Sequence, residues 1–342
     1  MIECILHIGA GKCGSSSLQT HLSENPFLTD ASGRRYEYVC TKTRGRLQRG
    51  LSAKRNAARN PFGYSASISV NDMAEPGDLA SLREALARVA EEGVTPILSF
   101  EGWINAGSGF RDWKILEALD VRARVIAFVR PQLPWLNSSW WQWGAWSHRG
   151  FEDWLKHWRR RGLWAEALKV WRDMTCVQSL DVFTTSTDVI TRFHQWLDAP
   201  AAARATRSNT TLDAATLRFL QAHPSLKTGS KAAAVDFVLA RRLPPGPKRP
   251  PWVFTPDLVA LHLDFFKDSN VDLLGLVGPE TRGEIDADPA WWSAEHFADR
   301  AAEAESPDAV ALTRDELEDL ARRALLAIPG MEDVASRESE RD

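Results

Sequence analysis

The sequence predicts an α/β fold, a parallel β-sheet flanked by helices with a helical C-terminal extension, and three observations predict it. Short apolar runs that read as buried parallel strands recur at 3–8 (ECILHI), 96–101 (PILSFE), 123–129 (ARVIAFV) and 177–183 (VQSLDVF). Helical patterns lie between them, and that alternation is what a parallel sheet with crossover helices requires. After about residue 200 the strand pattern fades into helical segments near 212–223, 229–242 and 255–268, interrupted by the proline-rich turn LPPGPKRPP at 243–251.

Taken in order, the 3–8 strand runs into a turn with glycines at 9, 11 and 14 and then into the amphipathic SSSLQTHL. The 78–93 segment opens with Asp78 as a helix N-cap and closes on Gly93, while 132–146 and 151–173 carry tryptophans at helical spacing. Thr313 and Glu316 form a capping-box start for a last helix, and MEDVASRESERD reads as a frayed tail. The expected division is 1–275 as the α/β domain, helical from about 200, and 276–342 as an acidic helical segment and tail.

Composition excludes several classes. The 342 residues suffice for a sizeable core, and 44% hydrophobic with 25% charged is ordinary for a soluble globular chain. A formal net charge of −3 names no partner. Locally, residues 34–59 carry nine basic side chains against Glu37 alone, whereas Glu280 to Asp342 carry eighteen acids against seven Lys and Arg. Cys4, Cys13, Cys40 and Cys176 lack metal-ligand spacing, so reduced thiols and no metal are expected. With no leader-like segment and no long apolar stretch, a cytoplasmic protein without a transmembrane segment is the default.

The glycine turn is the informative motif. Between a strand and a helix, such a turn lets backbone N–H groups and a helix N-terminus converge on an anion, with Lys12 adding a full charge and Ser15, Ser16 and Ser17 adding hydroxyl donors. Gly9 and Gly14 have the glycine spacing of the nucleotide-triphosphate loop G-x-x-x-x-G-K-[ST], but Ser15 stands where its lysine belongs. No acid clearly placed to hold magnesium follows a strand, since Asp181 lies mid-strand.

With its lysine displaced into the loop, LHIGAGKCGSSSLQ resembles the 5'-phosphosulfate loop of sulfotransferases that use 3'-phosphoadenosine 5'-phosphosulfate, H-I-G-x-x-K-[TC]-G-[ST]-[ST]-S-L-Q. The resemblance implies a P-loop-like sheet. It puts Lys12 on the 5'-phosphate and bridging oxygen, with Gly11, Gly14, the backbone amides of Cys13 to Ser16 and the Ser15 and Ser16 hydroxyls around the phosphosulfate. A second likeness is VIAFVRPQLPWLNSSW, where Arg130 ends a strand and Ser138 follows eight residues later, as in the family's 3'-phosphate site. Ser139 replaces Ser138 if the register is off by one. FEDWLKHW at 151–158 and RSNTTL at 207–212 also resemble segments of the bacterial, glycan-directed members.

Transfer to a hydroxyl needs a base. Glu101, at a strand's C-terminal end between Phe100 and Trp103, ranks first; His148 and His21 rank below it, and His7 reads as structural. Of fifteen tryptophans, nine lie between Trp135 and Trp171, mostly as packing, with some left over as a platform for an apolar or sugar face. The basic connection after the first helix brings Arg34, Arg35, Lys42, Arg44 and Arg46 toward an anionic acceptor. The expectation is therefore sulfuryl transfer from the phosphosulfate nucleotide to a saccharide or glycolipid hydroxyl, without metal and without nucleic acid. A P-loop kinase or NTPase, and a non-catalytic glycan- or nucleotide-binding protein, are the alternatives.

Overall fold

A computed structural model describes residues 1–147, 149–202, 211–229 and 232–329. The chain runs β1 (Ile2–His7), α1 (Ser15–Glu24), β2 (Phe27–Thr29), β3 (Arg35–Lys42), β4 (Arg46–Arg49), α2 (Gly50–Arg59), α3 (Pro76–Glu91) and β5 (Val94–Ser99). It continues through α4 (Gly107–Asp112), α5 (Ile115–Ala118), β6 (Val121–Val129), α6 (Gln132–Gln142), α7 (Phe151–Trp158), α8 (Trp164–Arg172), β7 (Val177–Thr184) and α9 (Val189–Leu197). The C-terminal part is helical: α10 (Ala214–Ala222), α11 (Ala234–Arg242), α12 (Pro256–Leu274), α13 (Pro279–Ala287), α14 (Ala298–Ala302) and α15 (Arg314–Leu326).

The fold is α/β with a mostly parallel sheet. Its order is β2-β3-β5-β1-β6-β7, with β4 on β3; β3, β5, β1, β6 and β7 are parallel, and β2 and β4 run antiparallel to β3. All four strands expected from the sequence belong to it. From β1 the chain turns toward β3, and from β6 it turns away toward β7, so the connections diverge between these neighbouring strands. Their C-terminal ends form the crevice where open α/β sheets bind ligands.

The register explains what gathers there. His7 aligns with Ser99 of β5 and Ile126 of β6, so the segments that follow leave the sheet side by side. Backbone bonds then lace the turn after β5 to the turn after β1: Gly102 N–H donates to Gly9 C=O at 2.6 Å and Ile104 N–H to Ile8 C=O at 2.7 Å.

Several local expectations change. The 34–59 segment is not a mere connection, since β3 enters the sheet and is buried over most of its length. Its Glu37 is buried at 4% exposure because Arg49 of β4 grips both carboxylate oxygens, the nearer at 2.6 Å. Asp78 is not the cap of α3, which starts two residues earlier at Pro76; its carboxylate accepts the Arg44 backbone N–H at 2.8 Å. The 151–173 helix is two, α7 and α8, separated by a short 3₁₀ turn over Arg159–Gly162, and α6 ends at Gln142. The Thr313–Glu316 capping box forms as expected. The four cysteines are free thiols. Among the described residues no helix is long and apolar enough to cross a membrane.

Candidate anion-binding cleft

At the C-terminal end of β1 the chain reverses through Gly9–Gly14. Gly14 has φ +84°, and a Cβ there would lie 2.5 Å from Val189 Cγ1, so only glycine fits between the loop and α9. Lys12 also adopts left-handed backbone, φ 64°, a conformation that costs a non-glycine residue and that the surrounding loop must hold. A Cβ on Gly11 would come within 2.7 Å of both Glu101 Oε1 and Trp143 Cη2. The loop is therefore closely backed by the turn after β5 and by the end of α6.

Two indoles brace the crevice: Trp135 Nε1 donates to Gly11 C=O at 2.8 Å, and Trp164 Nε1 donates to Arg130 C=O at 3.0 Å. Some of the tryptophan excess thus positions the site. Trp154 and Trp158 stack at 5.3 Å, and Trp158 meets Trp143 at 5.5 Å.

Below the loop, His7 is fully buried with Nδ1 2.7 Å from Ser99 Oγ, which also accepts from Gln19 Nε2 at 3.1 Å. Burial pulls the His7 pKa down to about 3, so it is neutral and structural.

A cleft of about 220 Å³ lies above this support. Lys12, Gly14, Ser15, Ser16, Arg130 and Ser138 line it together with Glu101. The two motifs, 118 residues apart, also touch directly, since Arg130 Nη1 donates to the Lys12 carbonyl at 3.2 Å. Ser138, not Ser139, faces the cleft; Ser139 is fully buried. A wider cleft of about 670 Å³ opens from the same Lys12–Arg130 wall toward Ser186 and Thr187, after β7, and toward Lys248 and Arg249 of the proline-rich turn.

The charges are unusual. Burial lowers the Lys12 pKa, opposed by nearby Glu101 and reinforced by Arg130. Burial likewise lowers that of Arg130. Lys12 Nζ donates no hydrogen bond to a described residue, and the Lys12 carbonyl is Arg130's partner. Both cations sit at the floor of the crevice, partly reached by solvent yet largely desolvated.

Burial raises the Glu101 pKa, against the pull of Lys12 and of Ser16, whose hydroxyl is 3.4 Å from Oε2. Tyr64 belongs to the same group: burial raises its pKa, Glu101 adds to the rise, and the Ser16 hydroxyl opposes it.

Two expected roles change. Ser15 is buried and donates its hydroxyl to Ala10 C=O at 3.0 Å, and the Cys13 N–H donates to the same carbonyl at 3.2 Å. Both groups tie the turn itself, which leaves the first-turn amides and Ser16 to face an anion. The Cys13 thiol is buried and its pKa is pushed up to about 12.

His21 does not line the cleft; its Nε2 meets His194 Nε2 at 2.8 Å beneath α9. His148 lies outside the described residues, as do residues 207–210 of RSNTTL, while Thr211 and Leu212 line the cleft. No family model, curated protein or solved structure matches this chain.

Sequence reasoning missed one pair altogether. Lys227 is fully buried and reaches both oxygens of Asp236 at 2.7 Å, the Gln142 carbonyl at 3.1 Å and the face of Trp146 at 4.3 Å. Asp236 lines the cleft from α11, a helix with no fully buried residue. No motif marks either residue. Their pairing requires a turn after α10 and a helix 9 residues on to fold back over Gln142.

Of the basic residues expected at the acceptor, none lines the cleft. Arg34 pairs with Glu3 at 3.7 Å, Arg35 bonds the Glu92 carbonyl, and Lys42 donates to the Ala66 carbonyl at 2.7 Å.

Proposed function

We propose that this protein is a sulfotransferase that moves a sulfuryl group from 3'-phosphoadenosine 5'-phosphosulfate to a hydroxyl of a saccharide or glycolipid. The observation that carries the reading is the pair of desolvated cations, Lys12 and Arg130, sharing one crevice with no carboxylate among the described residues hydrogen-bonded to either. Leaving them without a strong partner is costly, and an anion with charge at both ends compensates both. The residues fit such a donor. Lys12, the amides opening α1 and Ser16 would hold its 5' side, Arg130 and Ser138 its 3'-phosphate, and the wider cleft gives the nucleoside room.

The bound nucleotide supplies the sulfuryl group. The chain's own part is alignment and charge control. Glu101, raised by burial and held beside Gly11 by the backbone bonds after β5, accepts the proton of the acceptor hydroxyl. Lys12 neutralises charge that develops on the departing oxygen. Ser16 orients the Glu101 carboxylate.

The test is calorimetry with 3'-phosphoadenosine 5'-phosphate against ATP, without added metal. The bisphosphate should bind more tightly, and Arg130→Ala should weaken it by about 2–5 kcal/mol, the cost of an unpaired charge partner. Equal or tighter ATP binding would sink the reading in favour of a nucleotide kinase or NTPase. Binding without transfer to any of a panel of glycans, followed with radiolabelled donor, would leave a non-catalytic binding protein.

A further inference from the structure

We propose that a second groove, beside the cleft along α1, binds an acidic saccharide chain and feeds one of its hydroxyls to Glu101; the proposal rests on the sulfuryl-transfer reading. The groove, about 730 Å³, lies between α1, α2, the 60–63 turn and α11. Helix periodicity places it next to the cleft along α1. Ser16 lines the cleft, and Thr20 and Glu24, one and two turns further along α1, line the groove. At 1.5 Å per residue they lie about 6 and 12 Å from Ser16. The roof is also shared. Asp236, Phe237 and Ala240 of α11 face the cleft, whereas Val238, Arg241 and Arg242 face the groove.

Charge names the occupant's sign. Lys54, Arg59, Arg241 and Arg242 line the groove against one acid among the described residues, Glu24. Elsewhere in the basic segment, Arg34 is paired with Glu3 and Arg49 with Glu37 and Glu92. Lys54, Arg59 and Arg242 are exposed and form no ion pair among the described residues. Four like charges lining one groove, two from α2 and two from α11, raise the local potential toward anions.

Chemistry separates saccharide from nucleic acid. Phe62 is the groove's one aromatic lining residue, and its ring is already met by Tyr64 at 5.9 Å and Phe237 at 5.4 Å. Single-stranded nucleic acid depends on free aromatic faces on which bases stack. A chain of carboxylate- or sulfate-bearing sugars needs only cations, and it offers hydroxyls at the cleft end.

The test uses the full chain in calorimetry with a hexasaccharide of alternating glucuronate and N-acetylglucosamine, its N-sulfated counterpart, a neutral glucose hexasaccharide, oligothymidylate and an acidic tyrosine peptide. Either acidic hexasaccharide should bind. The K54Q/R59Q/R242Q variant should weaken that binding about tenfold or more, as should added salt, while 3'-phosphoadenosine 5'-phosphate binding stays within about twofold. Tighter binding of the N-sulfated form would assign the anion to sulfate, and tighter binding of the unsulfated form would assign it to carboxylate. R242Q alone, at an exposed position, should show a smaller loss with an unchanged unfolding midpoint.

Equal binding by wild type and the triple variant, equal binding of the neutral sugar, or tighter binding of oligothymidylate or peptide would overturn the proposal. Acidic hexasaccharide binding by a protein that does not bind the bisphosphate would overturn sulfuryl transfer and leave the groove standing.

Discussion

The buried Lys227–Asp236 pair offers a quantitative prediction. At 2.7 Å and an effective dielectric constant of about 20, the attraction is about 6 kcal/mol, of the same order as the several kcal/mol per ion lost on desolvation. The pair should thus be near neutral in net stability, yet each half should be costly alone. Lys227→Met leaves Asp236, with its side chain only 15% exposed, facing the cleft uncompensated, and should destabilise the fold by about 3–5 kcal/mol. Adding Asp236→Leu should recover most of that loss.

Urea unfolding of the two single variants and the double variant gives the coupling directly. The single lysine variant should also bind 3'-phosphoadenosine 5'-phosphate more weakly, because an unpaired carboxylate would compete for Lys12, on which Asp236 already acts. Additive losses, with the double variant as unstable as the singles combined, would refute the reasoning and make α11 independent of the pair.

Glu101→Gln should leave nucleotide binding intact and slow turnover about 10²–10⁴-fold; unchanged turnover would remove Glu101 as the base. Because burial raises the Glu101 pKa, the folded chain holds its proton to higher pH than the unfolded one, so ionisation costs stability as pH rises through the folded value. Glu101→Gln should therefore raise the neutral-pH unfolding midpoint, and a lowered one would contradict the burial argument. Gly14→Ala combines left-handed strain with a 2.5 Å approach to Val189 and should cost about 2–4 kcal/mol in denaturant unfolding along with nucleotide binding.

Burial and the His194 charge depress His21 to about 4, so the unfolded chain binds its proton first. Stability present above 6.5 should be lost as pH falls toward 4, and a pH series of unfolding midpoints with His21→Asn should flatten over that window.

The central sheet and the loop were legible in the sequence because both depend on local pattern. A strand buried on both faces must read as an apolar run, and a turn with left-handed backbone at its end must offer glycine, as Gly14 does. Arg130 and Ser138 stood out only through the resemblance of their segment to the 3'-phosphate element of sulfotransferases. β3 was hidden because its Glu37 is neutralised by Arg49, a partner that appears only once β4 folds back.

Tertiary structure alone decided the rest. The register His7–Ser99–Ile126 brought Lys12, Glu101 and Arg130 to one crevice, and β1, standing between β5 and β6, is the reason three distant segments end there. It likewise turned Ser15 and the Cys13 amide inward, set tryptophans against loop carbonyls, and drew Lys54 and Arg59 to Arg241 and Arg242 across α1. Side-chain chemistry is written residue by residue, but the desolvation that gives Lys12, Glu101 and Lys227 their shifted ionisation comes from whatever the folded chain packs around them.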